Sequence, residues 1–134
     1  MKVKSGLIEA EGMVKKIEKS LIPKVYILSI DCDEISIKLD LVKDLLIFDE
    51  GDRVNVLISH EKPKFKEGQD LVIWGYVLSK KKTLSGEKPN KLLISLWGYL
   101  LVIETLRSDI IDAFDYLDKV YFKLSKKNIK YRDP

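Results

Sequence analysis

Polar and apolar residues alternate without a break through Glu34-Ile35-Ser36-Ile37-Lys38-Leu39-Asp40-Leu41, the two-residue period of a strand with one buried and one wet face. The preceding run, Lys24-Val25-Tyr26-Ile27-Leu28-Ser29-Ile30, is rich in β-formers, and Asp31-Cys32-Asp33 between them supplies turn residues, so the pair predicts a hairpin. Leu7 to Ile17 alternates through Ala10, Gly12 and Val14, with a bulge or tight bend expected at Gly12. After a short helical or irregular connection at Leu45 to Phe48, the turn Asp49-Glu50-Gly51-Asp52 leads into a strand over Arg53 to Ser59.

Two stretches carry little to bury and are expected to be mobile loops, about 60–70, where Phe65 is the exception, and about 80–90, which holds Lys80-Lys81-Lys82 and Ser85-Gly86-Glu87-Lys88-Pro89. Ser108 followed by Asp109, Ile110, Ile111, Asp112, Phe114 and Leu117 has helical spacing, a capping residue and early acids, which predicts a short helix over about Asp109 to Asp118. Val120 to Leu124 reads as a last strand before a basic tail over 125–134. Short antiparallel strands joined by turns, without βαβ spacing, predict an all-β chain: an antiparallel OB-like β-barrel, one domain over 1–134, with a short helix near the C-terminus.

Two strands depart from the one-wet-face rule. In Asp70 to Leu78, Leu71, Ile73 and Val77 alternate with Val72, Trp74, Tyr76 and Leu78. Read as one strand, Leu92 to Ile103 sets Leu92, Ile94, Leu96, Leu100 and Val102 against Leu93, Trp97, Tyr99, Leu101 and Ile103. Neither has a polar face, so something must cover the outside of the barrel there. Trp74, Tyr76, Trp97 and Tyr99 form one aromatic patch if the strands are neighbours in suitable register. Either the chain covers the patch with Ile110, Ile111, Phe114 and Leu117 of the helix, or a partner protein does.

Composition narrows the chemistry. The 134 residues are 46% apolar and 34% charged, with a net charge of +3, as for a globular domain whose mixed charges permit a nucleic-acid partner without requiring one. The longest apolar run is broken by Gly98 and ends at Glu104, far short of the ~20 residues of a membrane helix. Met1-Lys2-Val3-Lys4 is followed by Glu9 and Glu11, which argues against a signal peptide. Lone Cys32 leaves no internal disulfide, and a cytoplasmic location is expected.

Cys32 and His60 are too few for a structural zinc site and sit in no recognised nucleophile context. The glycines are scattered, so no phosphate-cradling loop is present, and acid pairs such as Asp31 with Asp33 fall in turns. No catalytic, metal or cofactor site is expected. A stand-alone OB-fold binding single-stranded nucleic acid is the rival reading, with Tyr26, Trp74, Tyr76, Trp97, Tyr121 and Phe122 as stacking rings and Lys80 to Lys82, Lys126 and Lys127 as the basic rim.

Asp70-Leu71-Val72-Ile73-Trp74-Gly75-Tyr76 and Ile94-Ser95-Leu96-Trp97-Gly98-Tyr99-Leu100-Leu101, separated by the lysine-rich loop, resemble paired segments of a small RNA polymerase subunit, the eighth subunit in eukaryotes and the G subunit in archaea. In that family an aspartate-led strand with aromatic-Gly precedes a Ser-aromatic-Gly-Gly-Leu-Leu strand. The early hairpin, Gly51 to Val56 and Asp118 to Leu124 are similar to further family strands, so the resemblance covers about Glu11 to Lys126. Tyr99 replaces the family's second glycine, and Leu106 to Leu117 is longer than the usual connection.

The resemblance implies a noncatalytic subunit of DNA-directed RNA polymerase, an archaeal transcription component that docks on the largest subunit among other polymerase subunits. Assembly and stability of that subunit would be its role. It leaves room for a weak contact with nucleic acid and none for a membrane. Trp74, Tyr76, Trp97 and Tyr99 are the candidate docking residues.

Overall fold

The structure, a computed structural model, describes residues 1–84 and 88–127. The expected loop residues Ser85-Gly86-Glu87 and the tail beyond Lys127 lie outside the described residues. Among the described residues nine strands form: β1 (Lys2–Lys4), β2 (Leu7–Lys19), β3 (Val25–Cys32), β4 (Ile35–Val42), β5 (Arg53–Ser59), β6 (Asp70–Lys81), β7 (Asn90–Leu96), β8 (Tyr99–Thr105) and β9 (Lys119–Lys126). A short helix, α1 (Ser108–Ile111), precedes β9, and Lys43–Leu45 makes a 3-10 turn after β4.

The hydrogen-bonded order is β1-β2-β3-β4-β8-β7-β6-β9-β5, and β5 pairs back with β2, closing an eight-stranded antiparallel barrel with β1 on its margin. The expected OB-like barrel is the fold. Closure is possible because β2 is long enough to pair twice: Leu7 to Met13 with β5, and Gly12 to Lys19 with β3. The bulge in β2 falls between Val14 and Lys16 rather than at Gly12. Gly12 serves close approach instead, since a Cβ there would lie 2.3 Å from the Asp31 carbonyl oxygen.

The alternating sequence of β4 works as its period predicts: Ile35, Ile37, Leu39 and Leu41 are all buried. They join one core with Ile8, Val14, Leu28, Ile58, Ile73, Ile94, Ile103 and Phe122. The β3–β4 connection is Asp33-Glu34, with Cys32 still in the strand.

The helix is shorter than its apolar spacing predicts, four residues in place of ten, and Ser108 is its first residue rather than its cap. Past Ile111 the chain folds into a turn in which the Asp118 carboxylate accepts the Asp115 N–H at 2.7 Å and Leu117 takes a left-handed φ of 66°. That turn drives Phe114 into the core. Ile110, Ile111 and Phe114 therefore plug one end of the barrel, tied by the Gly6 N–H donating to the Ala113 carbonyl at 2.7 Å. Leu117 points away and is 74% exposed.

Loop 60–69 is fastened at its far end: the Asp70 carboxylate accepts the Lys66 N–H at 2.9 Å, and Lys123 Nζ donates to the Lys64 carbonyl at 2.6 Å. The aspartate that leads β6 thus closes a turn. The expected basic tail begins as structure, because β9 runs through Lys126 and the Lys127 N–H donates to the Arg53 carbonyl.

Candidate docking face

β6 is apolar on both sides, and the barrel separates them. Leu71, Ile73 and Val77 point inward and are buried, while Trp74, Tyr76 and Leu78 point outward and are exposed. Gly75 sits between the two rings on the inward phase. A Cβ there would lie 1.6 Å from the Ser95 carbonyl oxygen, so only glycine lets β6 lie this close to β7.

On the outer side, β9 adds two residues to the wall. Trp74 pairs with Tyr121 and Tyr76 with Lys119. Trp74 and Tyr76 meet edge to face with centroids 6.2 Å apart. Lys119 Nζ lies 4.6 Å from the Trp74 ring centre and 5.4 Å from that of Tyr121, within range of cation–π attraction. Lys119 and Tyr121 are absent from the expected docking residues, although their alternation with buried Val120 and Phe122 puts them on one face.

The second aromatic segment is not one strand. β7 ends at Leu96, Trp97-Gly98 forms a two-residue turn with φ values of 54° and 88°, and β8 starts at Tyr99 opposite Leu96. Two positive φ values mark the hairpin turn that matches strand twist. The turn resets the alternation: Leu92, Ile94 and Leu96 face inward with Leu101 and Ile103, while Leu93, Leu100 and Val102 are half-buried on the outside.

Trp97, 52% exposed, therefore stands at the turn, one register step beyond the Gly75–Leu96 pair and so beside Trp74. Tyr99 shares the inward phase of Leu101 and is half-buried at the barrel mouth. Among the described residues no ring contact joins Trp97 or Tyr99 to the Trp74–Tyr76 pair. The helix does not bury this wall: Ile110, Ile111 and Phe114 belong to the core, while Trp74, Tyr76, Trp97 and Leu117 are all exposed.

Four rings of the rival reading, Trp74, Tyr76, Trp97 and Tyr121, belong to this wall, but others of its residues are spent elsewhere. Phe122 is fully buried and offers no face to a base. Lys82, Lys126 and Lys127 pair with Asp112, Asp52 and Glu11. An open cleft of about 670 Å³, lined by Met1, Lys2, Glu9, Glu11, Asn55 and Lys123 among others, mixes carboxylates with lysines and has no aromatic wall.

Cys32 and His60 lie far apart. Cys32 Sγ crowds Gly12 and the His60 ring crowds Gly6, about 20 Å away along β2 at the rise of a strand. Burial, reinforced by the Asp31 and Asp33 carboxylates, pushes the Cys32 thiol up to about 11, so it stays protonated and unreactive at neutral pH. His60 Nε2 lies 2.9 Å from Asp118 Oδ2 and its ring meets Phe114 edge-on. The Asp118 carboxyl is held below its ordinary value, first by the Asp115 N–H and then by His60. Both contacts fasten the plug.

Fold and wall together define an OB-like barrel protein whose exposed aromatics lie on the outer surface of the sheet. Residues 7–127 match the family of the DNA-directed RNA polymerase G subunit. The chain belongs to that family, and is a component of DNA-directed RNA polymerase of archaeal type.

It is 31% identical to DNA-directed RNA polymerase subunit Rpo8 of Sulfolobus acidocaldarius over 124 residues, covering 90% of this chain and 99% of that one. It is 25% identical to the protein of the same name from Saccharolobus solfataricus over 119 residues, covering 86% and 89%. No described helix is long and apolar enough to cross a membrane.

Proposed function

We propose that this protein docks on the largest subunit of the polymerase through the outer wall of β6, β9 and the β7–β8 turn. It takes no part in nucleotidyl transfer and supports assembly and stability of that subunit. The observation that carries the reading is the uncovered aromatic wall: Trp74, Tyr76 and Trp97 are 40%, 45% and 52% exposed on one side of a folded chain. Exposed apolar patches of this kind mark partner surfaces, and Trp and Tyr are the residues that anchor them. Tyr99 supports the turn from its inner side. A cytoplasmic location goes with this role.

Affinity copurification of the tagged chain at moderate and high salt tests the reading. Large polymerase subunits should come down in fixed stoichiometry at both salts, since apolar docking resists screening. Their absence, with nucleic acid retained only at low salt, would sink it in favour of a single-strand-binding module, whose phosphate contacts weaken steeply with salt. The paired states of Lys82, Lys126 and Lys127 speak against that module.

A further inference from the structure

We infer that the occupant of the wall is a protein segment with an apolar body that sets a carboxylate on Lys119; this rests on the docking reading above and names the chemistry of its partner. Two independent features point there. The first is Trp97. A two-residue turn with both φ values positive is suited to Asn-Gly, and tryptophan is among the residues least suited to a left-handed backbone. Among the described residues Trp97 gains no ring contact in return, and it leaves half its surface in water. A local rule broken without an internal gain marks a surface shaped for something outside the chain.

The second feature is Lys119. Its ammonium lies over Trp74 and Tyr121, its backbone pairs with that of Tyr76, and no carboxylate reaches it among the described ion pairs. An apolar segment laid on the rings would strip water from this charge. Burying a bare ammonium is strongly unfavourable unless the incoming surface brings an anion. A nucleic acid could bring phosphates, yet a phosphate backbone wants a track of cations, and the next lysine along β9, Lys123, already faces Asp70 at 3.8 Å. Among the described residues Lys119 is the one ammonium over the Trp74 and Tyr121 rings, and a single ammonium there fits a single carboxylate.

The test measures the affinity of the full chain for polymerase reconstituted from its other subunits. Lys119→Glu should weaken binding about a hundredfold and Lys119→Met about tenfold, while Lys119→Arg stays near wild type. Lys119 is exposed, and thermal unfolding of each isolated variant verifies that the fold is intact. Wild-type affinity for Lys119→Glu, with loss in Trp74→Ala, overturns the carboxylate and leaves the docking face standing. Wild-type affinity in both overturns the docking face as well. If Lys119→Glu loses only a single-stranded oligonucleotide, the occupant is nucleic acid and the inference falls.

Discussion

Two of the two-residue hairpin turns, Asp33-Glu34 and Trp97-Gly98, differ in what holds them. Asp33-Glu34 joins β3 to β4 with residues suited to turns, and the chain holds it from several sides. The Glu34 carbonyl accepts the Thr105 hydroxyl at 2.8 Å, and the Glu34 carboxylate pairs with Arg107, which also binds Asp109 at 2.5 Å. Those two carboxylates raise the guanidinium pKa. Trp97-Gly98 joins β7 to β8 with an ill-suited residue that no described ring contact or ion pair holds. The first turn is explained by the protein's own stability. The second has no such holding contact among the described residues, and the proposed docking role accounts for it.

The sharpest way to break that contrast is to attack what allows the strained turn to exist. Gly75→Ala places a Cβ inside van der Waals contact of the Ser95 and Leu96 backbone, which forces β6 and β7 apart. A loss of about 3 kcal/mol or more is expected, read as a large fall in denaturant midpoint or failure to fold.

Thr105→Val attacks the well-held turn. It removes a buried hydroxyl that donates to the Glu34 carbonyl and accepts the Arg107 N–H at 3.0 Å. Stranding two backbone groups should cost about 1–3 kcal/mol, measured by chemical unfolding, with polymerase affinity unchanged because this turn lies off the wall.

Trp97→Asn should do the reverse. Relief of the left-handed strain should stabilise the isolated chain by roughly 1 kcal/mol, seen as a melting temperature several degrees higher, while affinity for the polymerase falls. A lower melting temperature would show that Trp97 is held by the fold after all.

The smallest effect belongs to the plug. Because the folded Asp118 carboxyl titrates below its ordinary 3.8, its contribution is complete above that pH and is lost as the pH drops through the lower folded value. Asp118→Asn should therefore lower stability by a constant amount at neutral and alkaline pH and flatten the acid side of the profile, the two proteins converging at low pH, as acid titration of both would reveal.

Much of this is legible in the chain. Period-two alternation identifies β4, β-former content the β3 run and a turn signal the start of β5, and the joint order of short segments carries the family. These signals are local: they depend on which residues a strand can bury, whatever its neighbours. The docking face is half legible, since two-sided apolarity brings Trp74 and Tyr76 to view. Tyr99 is misplaced by the same logic because Trp97-Gly98 looks like strand sequence, and a tryptophan at positive φ contradicts every local preference.

What the amino-acid sequence determined alone, then, is the all-β barrel class, the core-facing residues of its regular strands and the family. Only the tertiary structure decided that β2 pairs twice to close the barrel, that α1 plugs its end, and that Lys119 and Tyr121 share a wall with Trp74. The reason is register. A turn inserted between Leu96 and Tyr99 reverses which side every later residue faces, and β8 must then meet both β7 and β4, a strand some sixty residues earlier in the chain.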